Sequence, residues 1–337
     1  MFRFSRGLPL LIVVAGLLSC QFGYAKEPDK GAGSRDKKTA LSAAKGAAEL
    51  KSAEVVRNPA FPQDFRYGLK LLDAGDVKGC LAHVKKFSSK PGKVDWADKL
   101  YLLEGLCLQA NHQDEDALRS FKQALKFRGS NSDASHHLGI SYFNLGRYAE
   151  ALSAFQEALW FEKLQLKTKQ EVQYWIGKSY LEQGFTDRAE KAFLEASSGP
   201  QSYVPAKLEL AAMSLTQGRK APAVRYLKES LDASPNDPKL KIRLIEALLM
   251  RVDHPPALAE AKEAERLALG LLGQAQGDQS LKNRAFPLYI RALLEEDNLQ
   301  AAQENIEKAI RADSDNLELL SLQRQIGIAR EAKQAGL

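Results

Sequence analysis

The sequence has hardly any of the strict alternation of apolar and polar residues that is typical of β-strands. No glycine-rich phosphate-binding loop follows a strand, and the five histidines do not have the spacing of a metal site. Acidic residues are scattered as on exposed helix faces, and no pair of them stands out. We therefore expect a helical, non-enzymatic protein with no catalytic residues, no cofactor and no metal.

Excess positive charge is also scarce in most of the chain, although the formal net charge is +6. Residues 1–25 contain two arginines and no acid, and residues 26–51 contain seven lysines and arginines against four acids. The remainder is nearly neutral, which argues against a nucleic-acid footprint. We expect neither a nucleic acid nor a small-molecule substrate as a partner.

One apolar run stands out near the beginning, Leu8 to Leu18, and it is too short to span a bilayer comfortably. Because two arginines precede it, the run is typical of a secretory signal, which we assign to residues 1–25. Two processing sites remain open. The stretch LLSC, ending at Cys20, resembles the lipobox of bacterial lipoproteins, in which the cysteine is acylated, whereas GYA before Lys26 resembles an ordinary signal-peptidase site. We expect an exported, periplasmic protein, anchored to the outer membrane if Cys20 carries a lipid.

Residues 26–60 are rich in lysine, alanine, glycine and serine, and they contain few large apolar side chains. Such a segment cannot bury enough apolar surface to offset the entropy lost on ordering. We therefore expect a flexible linker. A linker directly after a lipid anchor would let a folded domain stand off a membrane.

A recurring spacing organises the rest of the sequence. In residues 132–165, Gly139 is followed by tyrosine at +3, alanine at +12, phenylalanine at +16 and alanine at +19. The same offsets follow Gly105, with leucine in place of tyrosine, and Gly177. These residues resemble the tetratricopeptide repeat, a helix-turn-helix unit of about 34 residues. We expect the glycine and the alanine at +12 to form the closest contact between the two helices, and Gly146 to permit the turn between them.

Weaker copies of this spacing extend the array in both directions, with an interruption before the last copy. The resemblance implies an all-α fold, a right-handed superhelical solenoid of antiparallel helix pairs. Each unit of such an array buries its apolar face only against its neighbours, and an amphipathic segment at residues 317–337 is expected to cap the last one. The predicted units are 61–94, 98–131, 132–165, 170–203, 204–237, 238–271 and 283–316.

The resemblance also implies a concave groove, lined by first-helix positions that recur at i, i+3, i+7 and i+10. In this sequence these positions form a largely apolar stripe with a few polar groups. An apolar groove suits an amphipathic helix or an extended apolar peptide of a partner protein. As the partner-binding groove we select His136, Ile140, Phe143, Tyr174, Lys178 and Leu181. Neighbouring units contribute Leu102, Leu106, Leu208, Leu215, Ile242 and Leu249.

The function that the resemblance implies is a non-enzymatic scaffold or adaptor in the bacterial cell envelope, with a role in assembling an envelope machine. Chaperone-binding proteins of this family hold a peptide carboxylate with Lys, Asn and Arg on successive first helices. Here the corresponding places carry Ile140, His137 and Lys178, so we do not expect carboxylate capture. The alternative is a structural or self-associating spacer whose groove is filled by its own chain.

Two cysteines lie within the predicted array. Cys80 is on the second helix of the first unit and Cys107 on the first helix of the next, so the two helices should be neighbours. Disulfide geometry is demanding, and both cysteines occupy positions that favour small buried residues. We therefore expect two buried thiols, with a disulfide as the alternative.

Overall fold

The computed structural model describes residues 61–87, 96–161, 166–199, 203–252 and 254–335. The predicted signal with Cys20 and the predicted linker lie outside these residues. Within the described ranges the chain is helical, without a β-strand, and no helix is long and apolar enough to cross a membrane. The helices are α1 (Phe61–Asp73), α2 (Val77–Lys85), α3 (Ala97–Ala110), α4 (Asp114–Phe127), α5 (Ser132–Asn144), α6 (Tyr148–Trp160), α7 (Leu166–Glu182), α8 (Thr186–Ser197), α9 (Val204–Thr216), α10 (Lys220–Ala233), α11 (Pro238–Leu248), α12 (Leu258–Gln274), α13 (Gln279–Glu295), α14 (Leu299–Ala312) and α15 (Leu317–Gln334).

These helices form successive hairpins, from α1–α2 to α13–α14, followed by the single helix α15. Each helix packs against the next one along the chain. First helices also contact the first helices of neighbouring hairpins, as α3 contacts α5 and α11 contacts α13. This arrangement is a solenoid of about seven units with a capping helix, which confirms the predicted fold class.

Three helices have a start or an end that differs from the one predicted from the repeat spacing. The segment interpreted as an interruption lengthens two helices instead, because α12 runs to Gln274 and α13 begins at Gln279. Helix α7 begins at Leu166, before the predicted start of its unit at residue 170. The repeat spacing identifies the residues that pack at the centre of each hairpin. Additional residues at the helix ends add helical turns without changing that packing.

In the central units a glycine of the first helix faces a phenylalanine of the second. A Cβ atom placed on Gly139 would lie 2.5 Å from the ring of Phe155, which is fully buried. The predicted contact between Gly139 and the alanine at +12 stays a prediction, and the ring at +16 fills the space beside the glycine. The same arrangement recurs for Gly105 with Phe121 and for Gly177 with Phe193.

Most hairpins close their first helix with the same left-handed turn. Gly146 has φ +72°, its N–H donates to the carbonyl of Phe143 at 2.9 Å, and the N–H of Arg147 donates to the carbonyl of Tyr142 at 2.9 Å. This pair of hydrogen bonds is a Schellman motif, which needs a positive φ at the turn residue. The role predicted for Gly146 is thus confirmed. The equivalent turn residues are Gly75, His112, Gly184, Gly218 and Asp297.

A disulfide joins the first two units. It links Cys80 of α2 to Cys107 of α3, and the Cα atoms of the two residues are 6.0 Å apart. Both residues are fully buried. The expectation of two free thiols is corrected, because the packing of α2 against α3 brings the cysteines to the Cα separation that disulfides require.

Replacing Gly139 with alanine should lower the free energy of unfolding by about 1–3 kcal/mol, since the new methyl group overlaps the ring of Phe155. The matched control is Gly270→Ala on α12, where a Cβ atom would meet nothing within 4 Å. There alanine should raise stability by about 0.5–1 kcal/mol, because glycine is unfavourable inside a helix. Urea denaturation followed by circular dichroism measures both changes. Equal effects at the two positions would contradict the proposed packing.

Removing the disulfide with the double change Cys80→Ala and Cys107→Ala should reduce the free energy of unfolding by about 2–4 kcal/mol, because the unfolded chain gains conformational freedom. Reducing the wild-type protein with dithiothreitol should lower its thermal midpoint in the same direction and leave the double variant unaffected. A wild-type midpoint that stays constant after full reduction, verified by thiol titration, would show that the bond contributes nothing to stability.

Candidate functional site

Two cavities open along the first helices of the later units. One, of about 450 Å³, lies chiefly between α7, α9 and α11, and the other, of about 860 Å³, lies between α11, α13 and α15. Glu246 of α11 borders both, so the cavities are consecutive sections of a single surface, which we term the groove. The groove is the candidate functional site.

The smaller cavity has a mainly apolar lining. Its floor is formed by Leu208, Ala212 and Leu215, which occupy the i+3, i+7 and i+10 positions of α9. Ala212 is exposed, so the cavity reaches the surface above this small side chain. Arg243 and Glu246 of α11 supply charge at the edge of the cavity. A bulky apolar side chain of a partner would therefore be buried here with charged groups close by.

The larger cavity is more polar. The guanidinium of Arg251 donates hydrogen bonds to one carboxylate oxygen of Glu295, the shorter of them 2.7 Å long. Arg291 and Glu318 also line this cavity, and neither forms an ion pair within the described part of the chain. In the same ranges, no three histidine, cysteine, aspartate or glutamate side chains are placed to hold a metal ion. The cavity therefore offers groups for charge pairing.

Two of the predicted groove residues meet at Glu209, which lines the smaller cavity. Tyr174 lines it, and the Tyr174 hydroxyl lies 3.5 Å from Oε1 of Glu209. The Nζ of Lys178 is 3.3 Å from the same oxygen. Burial, together with the neighbouring Glu209, raises the pKa of Tyr174 to about 12, so the hydroxyl keeps its proton at physiological pH. The structure thus brings Tyr174 and Lys178 together around one carboxylate of α9.

The other four predicted groove residues contribute more to packing. Ile140 and Phe143 are half-buried against the core of α3 to α7, and Leu181 packs against the core of α8 and α9. His136 is only 3% exposed and lies against the ring of Phe155, with ring centroids 6.2 Å apart. Its role in contacting a partner stays a prediction, and its burial shows that the offset gives the direction of a side chain but not the depth to which neighbouring helices cover it.

The same offsets also identify residues that contact the groove in later units. Leu208 and Leu215 line the smaller cavity, and Leu249 lines the larger one. The other three predicted contributors belong to or pack against the apolar core, namely Leu102, Leu106 and Ile242. Further groove residues were not selected from the sequence, although they lie at i+7 or i+10 of α9, α11 and α13, namely Ala212, Glu246, Arg291 and Leu294.

A partly buried polar network connects α3 to α5 beside the predicted groove residues. The side-chain amide of Gln109 donates to the carbonyl of His137 at 3.0 Å and to Oγ of Ser141 at 2.8 Å. Its carbonyl accepts from Nδ1 of His137 at 3.0 Å, which makes Nδ1 the protonated ring nitrogen. Burial lowers the pKa of His136 to about 4, and burial with His136 nearby lowers that of His137 to about 3. Both imidazoles are therefore neutral structural groups at pH 7.

Sequence profiles of the tetratricopeptide repeat match residues 132–159 and 174–238. The first match contains α5 and nearly all of α6, and the second extends from α7 to the first residue of α11. This chain contains tetratricopeptide repeats. The two matched ranges include the hairpins in which Gly139 and Gly177 face phenylalanine rings.

Among solved structures, the chain is similar to PilW, described as a widely conserved type IV pilus biogenesis factor. The TM-score is 0.54 and the identity 18%, over 67% of this chain and 98% of PilW. PilF of Pseudomonas aeruginosa aligns with a TM-score of 0.48 and 21% identity, over 68% of this chain and 98% of PilF. A tetratricopeptide repeat protein of Parabacteroides merdae aligns with a TM-score of 0.48 and 16% identity, over 80% and 99% of the two chains.

The similarity to PilW supports the solenoid fold. No curated protein matches this chain. The matched profiles and structures indicate no enzyme family, and repeat arrays of this kind typically present extended binding surfaces.

Lowering the pH from 7 to 5 should reduce the free energy of unfolding. His136 and His137 stay neutral in the folded protein, whereas in the unfolded chain both take up protons below about pH 6.5. A histidine with a folded pKa of about 4 accounts for roughly 2 kcal/mol of lost stability at pH 5. His136→Gln should flatten this dependence in urea denaturation at several pH values. A variant with the wild-type pH dependence would contradict the assignment to His136.

Proposed function

We propose that this protein is a non-enzymatic scaffold that binds a segment of a partner protein in the groove. The observation that carries this proposal is the pair of consecutive cavities lined by the first helices of adjacent repeats. Glu246, Arg291 and Glu318 line these cavities without an ion-pair partner among the described residues. Protein-binding surfaces combine an apolar centre with polar groups around it, and the groove has both an apolar floor and unpaired charges.

We further propose that the protein works in the bacterial cell envelope. The apolar run that ends at Leu18 has the features of a secretory signal, and Cys20 offers a site for lipid attachment. The disulfide between Cys80 and Cys107 fits an oxidising compartment, since such bonds rarely persist in the cytosol. Acylation of Cys20 would hold the array at the outer membrane, with residues 26–60 as the linker.

The process we propose is the assembly of an envelope machine, and type IV pilus biogenesis, the process named for PilW, is one of this class. In such a process the groove would hold a segment of one component while that component reaches its place in the complex. A self-associating spacer is the alternative function. The two differ in the occupant of the groove, which is a partner protein in the first case and this chain itself in the second.

Changing Ala212 to tryptophan should abolish capture of the partner, because the indole ring would fill the smaller cavity from its floor. Ala221→Trp is the matched control, since Ala221 is also exposed but lies on α10, the other helix of the same unit. The full-length protein is crosslinked in cells and purified, and the captured proteins are identified by mass spectrometry. An envelope protein present with the wild type and the control, and lost with Ala212→Trp, is the expected result.

Two outcomes would contradict this proposal. Identical partners for both variants would place the binding surface outside the groove. Capture of additional copies of this chain alone, together with a concentration-dependent mass in light scattering, would support the self-associating spacer. Recovery of a pilus component that depends on Ala212 would connect the groove to the process named for PilW.

A further inference from the structure

A continuous row of aromatic rings extends from the end of α5 across α7 to the start of α9. It consists of Phe143, Trp175, Tyr174 and Tyr203, and successive ring centroids are 5.1, 5.6 and 5.8 Å apart. We term these four residues the aromatic row. All four are half-buried, so each presents part of its ring to solvent. Because Tyr174 also lines the smaller cavity, the row leads directly into the groove.

Two hydrogen-bond donors in the aromatic row have no partner among the described residues. They are the indole N–H of Trp175 and the hydroxyl of Tyr203. Burial, with Glu171 and Tyr174 nearby, raises the pKa of Tyr203 to about 12, so its hydroxyl keeps its proton at physiological pH. A half-buried donor is satisfied by water or by a ligand acceptor, and a ligand that displaces the water must supply acceptors in its place.

These donors distinguish between two forms of bound peptide. An α-helix uses its carbonyl groups in its own hydrogen bonds, so a helical ligand would offer few backbone acceptors to Trp175 and Tyr203. A polyproline II segment has no internal hydrogen bonds, and all its carbonyl groups remain available. Proline-rich segments in this conformation dock in aromatic-lined grooves. Half-buried rings with unpaired donors therefore favour an extended, proline-rich ligand.

We propose that the aromatic row binds a proline-rich, extended segment of the partner. Phe143 and Tyr174 supply ring surfaces for the prolines, and Trp175 and Tyr203 donate hydrogen bonds to the peptide carbonyls. This inference rests on the proposed partner-binding function, and it specifies both the section of the surface and the class of ligand. The smaller cavity beside Tyr174 receives an apolar side chain that follows the proline-rich stretch.

The test uses a fluorescein-labelled decaproline peptide and the full chain, with binding followed by fluorescence anisotropy. Tyr203→Phe removes only the hydroxyl, and Trp175→Phe replaces the indole with a smaller aromatic ring that lacks the N–H. Each should weaken binding about 3- to 10-fold, as expected for one lost hydrogen bond. The matched controls are Trp160→Phe and Tyr67→Phe, whose side chains are highly exposed and lie outside the aromatic row. Both controls should bind decaproline as the wild type does.

An alanine–lysine peptide of about 20 residues, long enough to form a helix in water, serves as the ligand control and should bind at least tenfold more weakly than decaproline. Absence of saturable decaproline binding up to about 1 mM would overturn the inference. Wild-type affinity of both Trp175→Phe and Tyr203→Phe would overturn it as well, once circular dichroism shows that the variants are folded.

The result also separates this inference from the proposed function. If decaproline does not bind while Ala212→Trp still loses its partner, the scaffold function stands and the proline-rich ligand is wrong. If decaproline binds with the expected dependence on Trp175 and Tyr203 while Ala212→Trp captures the same partners as the wild type, the ligand class holds and the groove is wrong as the site of capture.

Discussion

A phenylalanine ring lying against a glycine of the facing helix sets the distance between the two helices of each central unit. Gly139 and Phe155 show the contact clearly, because a single added methyl group would overlap the ring. The ring takes the place that a side chain would otherwise occupy, so the helices approach closely and a short Schellman turn suffices to connect them. Hairpins of equal geometry then stack with their first helices side by side, and that alignment produces the groove.

The opening of the smaller cavity is related to the side chain at i+7 of the first helices around it. Ile140 occupies this position on α5 and packs against the core, whereas Lys178 on α7 extends to Glu209. On α9 the position is Ala212, and the smaller cavity opens above it. The aromatic row extends from α5 across α7 to the start of α9, next to this cavity. One repeated framework therefore provides a ring-lined surface and an open cavity next to each other.

The number of units and their helical pairing could be predicted from the sequence, because close packing restricts which residue types fit at fixed offsets. How closely the ring of Phe155 approaches Gly139 could not, since the offsets do not give side-chain orientations. His136 was predicted to face the groove, and its burial follows from how neighbouring helices cover it, which is a tertiary property. The disulfide between Cys80 and Cys107 depends in the same way on the separation of α2 and α3.

The disulfide also makes the two ends of the solenoid unequal. In a nearly one-dimensional array the terminal units have a single neighbour, so fraying normally starts at either end. At the first end the covalent bond ties α2 to α3, so α2 cannot separate from the array while the bond is intact. At the other end α15 is held by noncovalent packing of buried residues such as Leu322 and Ile326. Separation of a whole hairpin is therefore restrained at the first end, whereas at the end that borders the larger cavity only noncovalent packing opposes it.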